Sequence, residues 1–290
     1  MNLVMKHYGR IEVRKEIADY CSNRWVAIHC EQRDEKGVQV MIRYEKGSEK
    51  PLTIRSEQDI LKIIHDFKTL KPRSFYATAH TYSRLRFRED LLDRGNIISS
   101  MPTWDIDLRS GDWRRVVEKA REIIDVIERH GVMKSLFFKW SGRGAHIHIS
   151  QNAFSPEIRK RIDPLDIAYS VTQYVINRVK PSSDVVVENK IDLQRVFTAP
   201  LSFHRTLNRV AICLNPSRLD EFDLSWTDPS SFKHDPGSWR RAVEGEGDEL
   251  AEKAFTAIGP YIPRRVGRRK HKPLDKQILE TLRRLEDSAS

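Results

Sequence analysis

Apolar residues recur at helical and strand periods along most of the chain. Residues 10–22 read as a short helix, and Trp25-Val26-Ala27-Ile28 follows as a strand. A second strand, Val38-Gln39-Val40-Met41-Ile42, comes after the turn at Gly37. Ser56-Glu57-Gln58-Asp59 has the form of a capping box. The helix it opens carries Ile60, Ile63, Ile64 and Phe67 at three- and four-residue spacing. Residues 102–108 read as extended and end in acids. Asp112 then caps a helix with Trp113, Val116, Val117, Ala120, Ile123, Ile124 and Ile127 on one face, and Gly131 supplies its stop. Two extended runs follow, 132–140 and 145–149. Asp163-Pro164 starts another helix, which runs to about residue 179. Residues 184–188 and 209–214 read as strands. This order predicts an α+β palm, a mixed sheet with helices packed on it, rather than a doubly wound fold. After Pro216 the pattern loosens into a Trp/Asp/Pro/Ser loop, a Gly/Glu-rich turn at 243–248, and one or two helices separated by a basic run.

Composition narrows the class. The 290 residues include 51 Lys and Arg against 41 Asp and Glu, a net charge of +10, and 39% are hydrophobic. The apolar content and periodicity exclude a disordered chain. Three cysteines (Cys21, Cys30, Cys213) are too few for a disulfide framework, and no CxxC pair offers a zinc ribbon. No apolar run approaches the ~18 residues of a membrane span. Residues 1–10 lack the apolar core of a signal peptide. The expectation is a soluble, cytoplasmic protein with no membrane partner, and its charge hints at a polyanion.

Three constellations carry chemistry. In Asp105-Ile106-Asp107 the two acids share one strand face. Side by side they raise the cost of ionising each other, and a divalent cation removes that cost. An exposed edge strand with two acids gives the same pattern. The second constellation is Ser141-Gly142-Arg143-Gly144-Ala145-His146-Ile147-His148. Its turn offers backbone N–H groups and one guanidinium to a phosphate. His146 and His148 again share a strand face, suited to phosphate, metal or proton transfer; a Gly-rich hairpin with solvent-facing histidines is the plainer reading. The third runs from Ile191-Asp192 through Arg195 and Pro200 to Ser202 and His204, two polar residues in an apolar extended stretch. A purely structural role fits that stretch as well.

Taken together and in order, these motifs resemble the archaeo-eukaryotic primase superfamily over roughly residues 70–215. That family's Asp-x-Asp, Gly-rich turn with small-x-His, and apolar-Asp correspond here to Asp105 and Asp107, to Gly144-Ala145-His146, and to Ile191-Asp192. Asp192, Arg195, Pro200, Ser202 and His204 follow the family's downstream spacing. The segment Arg24-Trp25-Val26-Ala27-Ile28-His29 is similar to small stand-alone archaeal primase-polymerases. The turn is one residue shorter than in many replicative members, and Thr206-Leu207-Asn208 replaces the usual Lys-Thr-Gly. No Cys/His zinc knuckle is present. These departures favour a stand-alone or end-joining polymerase domain.

The resemblance implies an RRM-like palm with an N-terminal α/β module in one primase-polymerase catalytic domain, 1–217. The module covers about 1–95, the palm about 96–217, and a C-terminal extension 218–290. It implies template-dependent nucleotidyl transfer with NTP or dNTP onto DNA ends or a primer, using two Mg²⁺ or Mn²⁺ ions per site and no zinc. Asp105, Asp107 and Asp192 would be the metal-binding catalytic acids. His146, Ser202 and His204 would hold the triphosphate, with Arg143 and Gly144 beside it. Ku and DNA ligase are the partners of the end-joining reading, and a large primase subunit is the partner of the alternative, a primase making primers de novo in replication. Candidates for template and primer contacts are Lys71, Arg73, Arg84, Arg86 and Arg88, interleaved with Tyr76, Tyr82 and Phe87, and the run Arg264, Arg265, Arg268, Arg269, Lys270 and Lys272; core aromatics beside solvated charges fit the first group too, and a solvated linker fits the second. A rolling-circle nuclease is a remote alternative for His146-Ile147-His148, with Tyr169 or Tyr174 as nucleophile. It leaves Asp105, Asp107 and the 192–204 stretch unexplained. A DNA-binding accessory subunit with a decayed site is a further contrast.

Overall fold

The computed structural model describes residues 3–262. Two helices, α1 (Leu3–Tyr8) and α2 (Ile11–Cys21), lead into β1 (Val26–Arg33), β2 (Gln39–Ile42), α3 (Glu57–Asp66), β3 (Pro72–Thr78), β4 (His80–Tyr82) and β5 (Ile97–Ser100). The middle of the chain forms β6 (Thr103–Leu108), α4 (Arg114–Glu128), β7 (Leu136–Trp140), β8 (Ala145–Ile149), α5 (Pro156–Arg161), α6 (Pro164–Ile176) and β9 (Val185–Glu188). Then follow β10 (Val196–Thr198), β11 (Ile212–Leu214) and α7 (Asp248–Ile258).

The elements β6-α4-β7-β8-α6-β9 make a split β-α-β-β-α-β unit. Their sheet runs in the order β11-β7-β8-β6-β9, and each of its pairings is antiparallel. The helices cover one face. Trp104 points toward them, its indole N–H donating to the Thr172 carbonyl of α6 at 3.0 Å. Alternation along β6 therefore sends Asp105 and Asp107 to the opposite face. α4 forms as its spacing predicts: Asp112 accepts from the Arg114 N–H at 2.8 Å, Val116, Ala120, Ile123 and Ile127 are buried, and Gly131 ends the turn at φ 84°. At α3 the expected capping box forms at Ser56 and Asp59, with Asp59 accepting from the Ser56 backbone N–H at 3.0 Å.

The second sheet has the order β10-β3-β1-β2. It joins the two parts of the catalytic stretch, because β10 comes from beyond the palm strands and pairs with β3 through Phe197↔Ala77 and Thr198↔Tyr76. Periodicity alone did not reveal α1, β3, β4, β5 or β10. β3 opens on a proline and alternates around Arg73 and Ser74, so it read as a basic surface rather than a strand. The run 132–140 is shorter as a strand than expected. The N–H groups of Met133, Lys134 and Ser135 all donate to the Glu246 carboxylate, so the chain wraps an acid there instead of pairing.

Described residues after 218 pack on the same core: Leu219, Phe222, Trp226, Leu250, Ala251 and Ala254 are buried with the palm. Glu16 of α2 anchors this segment, accepting from His234 at 2.8 Å and from the Trp239 indole, with Arg240 alongside at 2.8 Å. The basic run Arg264, Arg265, Arg268, Arg269, Lys270 and Lys272 lies outside the described residues. Among the described residues no helix is long and apolar enough to cross a membrane.

Candidate active site

The face of the palm sheet turned away from its helices carries a row of polar residues, one per strand. Register places Glu188 of β9 opposite Asp105 of β6, Asp105 opposite His146 of β8, His146 opposite Lys139 of β7, and Lys139 opposite Cys213 of β11. The row grades from solvent to interior. The Glu188 side chain is 49% exposed and Asp105 12%, whereas Lys139 and Cys213 are fully buried.

At the open end three carboxylates surround one ammonium. Lys190 Nζ lies 2.5 Å from Asp105 Oδ2, 3.0 Å from Asp107 Oδ2 and 3.1 Å from Glu188 Oε2. His146 Nε2 is 3.0 Å from the other Asp105 oxygen. Burial on its own would raise the Asp105 carboxyl. The His146 hydrogen bond and the Lys190 charge outweigh it and hold the group well below the usual carboxylate range. Burial lowers His146 in turn, so it is a neutral donor at pH 7. Its Nδ1 is buried without a partner, as is His148 Nε2. His148 is packed away, stacked on Phe137 at 4.6 Å, with Thr103 Oγ1 2.9 Å from its Nδ1.

Two glycines bring the second motif against the first and third. A Cβ on Gly144 would stand 2.2 Å from the Ile106 carbonyl oxygen, so only glycine lets β8 approach β6 here. Gly142 has φ 138°, and a Cβ there would meet the His204 ring at 2.2 Å. His204 thus lies on the turn that carries Arg143. The Thr206 and Leu207 N–H groups donate to His204 Nδ1 at 3.2 and 3.0 Å, which leaves Nε2 as the N–H donor. Burial first, then the charges of Arg205, Arg143 and Arg73, lower His204 to about 4. The same Arg205, together with Arg43, adds to burial in lowering His29 to about 4. Both Arg143 and Arg205 are exposed. The arrangement is a wall of guanidinium groups and an imidazole N–H beside the carboxylates, donors of the kind that suit an anion.

The structure redistributes several expected roles. Asp192 is not part of the acid cluster. Its carboxylate accepts from the Gln194 N–H at 2.8 Å and pairs with Arg195 at 3.2 Å, and no ion pair or hydrogen bond among the described residues links it to Asp105 or Asp107. Its neighbour four positions earlier, Glu188, takes that place because β9 ends there, directly beside β6. Ser202 is fully buried and accepts from the Phe75 N–H at 2.7 Å, so its hydroxyl anchors the loop to β3 and does not face the wall. Arg73 is also buried. Glu31, the His204 and Leu207 carbonyls and Asn208 take its donors, so it fixes the 204–208 loop rather than offering a free cation to DNA. Lys71, Arg84, Arg86 and Arg88 are exposed, with Phe87 (66% exposed) among the last three. Arg84 is shared with Asp90 and Asp93, and Arg88 with Glu49. Tyr82 is buried and Tyr76 half-buried. Tyr169 packs on Tyr261, and Tyr174 on His130 and Arg178. Neither contacts His146 or His148, so the rolling-circle arrangement is not assembled. Sequence reasoning missed Glu188, Lys190 and Arg205. Strand pairing is the signal that finds Glu188, since 184–188 read as a strand whose partner was unknown.

Asp105, Asp107 and Glu188 present the hard oxygen donors that suit a divalent cation, around a point that already holds a positive charge. They are spread around an ammonium rather than drawn in to ligand distances, and among the described residues no three His, Cys, Asp or Glu groups converge closely enough to hold an ion.

No protein-family model matches the chain, and no curated sequence does. Solved structures do match. One is the polymerase domain from Mycobacterium tuberculosis ligase D in complex with DNA, at TM-score 0.51 and 14% identity, covering 89% of this chain and 88% of that one. This chain has that polymerase-domain fold. The α+β palm expected from the motifs is therefore the architecture found, and the likeness spans nearly the whole chain rather than the motif region alone.

Proposed function

We propose that this chain is a template-dependent nucleotidyltransferase of the primase-polymerase type, extending or filling DNA ends with NTP or dNTP in end joining. The observation that carries it is the juxtaposition of Asp105, Asp107 and Glu188 with the Arg143–His204–Arg205 wall, on the fold of a polymerase domain known bound to DNA. Carboxylates suit the cations that escort a triphosphate, and the wall suits the triphosphate itself.

Two divalent cations held by the three carboxylates would supply charge neutralisation of the phosphates and of the attacking and leaving oxygens. The chain's own residues supply the geometry. His146 donates to Asp105 and fixes its rotamer, leaving the Oδ2 face toward Asp107 and Glu188. His204 directs Nε2–H outward, and Arg143 and Arg205 add guanidinium donors that match phosphate oxygens. Backbone contacts to DNA fall to the exposed Arg84, Arg86 and Arg88, and Phe87 offers a stacking face. This reading carries Ku and DNA ligase as partners.

The test is primer extension by the purified chain with Mg²⁺ or Mn²⁺ on a gapped duplex with a 5′-phosphate, beside the same template without primer. Extension of the gapped end that is lost in Asp105→Ala/Asp107→Ala, with DNA binding retained, is the expected result. Undiminished extension by the double variant overturns the proposal. Synthesis on the unprimed template in preference to the gap moves the function to de novo priming with a large subunit.

A further inference from the structure

The position a cation would take among the acids is held by a side chain of the chain itself. Lys190 Nζ reaches all three carboxylates, and its side chain is 26% exposed against 54% for Asp107 and 49% for Glu188. Its backbone is tied down on both sides. Arg195 Nε donates to the Lys190 carbonyl at 2.8 Å. Asn189 donates to the Tyr169 carbonyl at 3.0 Å and accepts from the Ile191 N–H at 3.2 Å. The ammonium is therefore a tethered cation with a high local concentration at the acid cluster.

We propose that Lys190 is a built-in competitor for the divalent cations, holding the acid trio together when they are absent and leaving when they bind. The proposal rests on the reading of Asp105, Asp107 and Glu188 as the cation ligands. Without Lys190 the trio is three carboxylates with no cation between them, a repulsive arrangement. With it, a bare divalent ion must displace an ammonium already in contact with the oxygens it needs. A cation arriving on a triphosphate meets a smaller barrier, because the triphosphate offers the released ammonium a new anion. Lys190 thereby biases the site against bare metal and toward metal–nucleotide as one unit.

The test is Mn²⁺ titration of the full chain without nucleotide, read by electron paramagnetic resonance of free Mn²⁺ and by calorimetry. Lys190→Gln is expected to bind Mn²⁺ about tenfold more tightly than the wild type, the equivalent of ~1.4 kcal/mol. The gap is expected to narrow when a non-hydrolysable nucleoside triphosphate is present. Lys190→Arg, which keeps the charge, is expected to stay near the wild-type value. Thermal melts check that each variant is folded. Equal or weaker Mn²⁺ binding by folded Lys190→Gln overturns the proposal. Asp105→Asn separates it from the reading beneath it. If Asp105→Asn loses the Mn²⁺ site while Lys190→Gln matches the wild type, the competitor role alone fails. If Asp105→Asn binds Mn²⁺ like the wild type, the ligand assignment fails as well.

Discussion

Glu188 and Asp192 are four residues apart, and only one of them belongs to the acid cluster. Glu188→Gln keeps the shape of the side chain and removes its charge. A divalent cation at the place Lys190 Nζ holds, 3.1 Å from Glu188 Oε2, would attract that unit charge by about 11 kcal/mol at an effective dielectric of ~20 and by about 3 kcal/mol at the ~80 of water. Half of the Glu188 side chain is in solvent, which puts the loss near the lower figure, roughly 2–3 kcal/mol. One decade of rate costs about 1.36 kcal/mol, so extension should fall by roughly a hundredfold. Asp192→Asn is the matched control. Its Oδ1 contact with the Gln194 N–H survives as an amide oxygen, and the His80 contact at 2.7 Å is to the Asp192 backbone carbonyl, which the substitution leaves in place. Only the partly exposed pair with Arg195 is lost, a term of about 0–1 kcal/mol. Single-turnover extension of a gapped duplex, with melting curves for both variants, measures the difference. If Asp192→Asn loses activity while Glu188→Gln stays within threefold of wild type, the acid cluster is misassigned and the cross-strand argument is wrong.

Other substitutions probe the remaining geometry. Gly144→Ala forces a methyl to within 2.2 Å of the Ile106 carbonyl, so β6 and β8 must part; a loss of about 1–3 kcal/mol in urea unfolding is expected, and a stability equal to wild type would contradict the close approach. Arg205→Ala should raise the KM for the triphosphate several-fold with little change in kcat, and an unchanged KM would remove Arg205 from the wall. Lys139 is fully buried, with the Tyr20 hydroxyl 3.2 Å from its Nζ, and burial lowers it to about 7. A Lys whose folded value lies below its unfolded one binds fewer protons when folded, so stability should rise with pH from about 7 to 8.5, below the unfolded thiol range. Lys139→Met should abolish that slope and raise the melting temperature at pH 7; a slope that persists would place its origin elsewhere.

Much of the fold was legible because burial enforced the pattern. The α4 stripe from Val116 to Ile127 faces the palm sheet on one side only, so its period is clean. Asp105 and Asp107 were legible because Ile106 is buried on the helix side of the sheet and the two acids share the other face. β3 was opaque for the opposite reason. Arg73 is buried there through a salt bridge and carbonyls that come from Glu31 and the 204–208 loop, partners far away in sequence. Its charge suggested a surface that the fold does not provide. The third acid differs for the same reason: motif spacing along the chain selects Asp192, whereas pairing across strands selects Glu188, and spacing along a chain says nothing of its neighbours in a sheet.

The row Glu188–Asp105–His146–Lys139 also explains why the chemistry collects at one end of the sheet. Burial deepens along it, and each step in depth favours the neutral form of a basic group and penalises an isolated acid. Lys139 and His146, at the deep end, are accordingly shifted toward neutrality. Asp105 stays ionised only because it lies where a neutral imidazole donor on one side meets a cation on the other. Moving the acid one strand inward would leave it without Lys190 and neutralise it. Moving it one strand outward would surrender the His146 bond and the rigidity that comes with it. β6 is the strand where a carboxylate can be both charged and held, and there the acid faces the Arg143–His204 wall across a turn that two glycines allow to close.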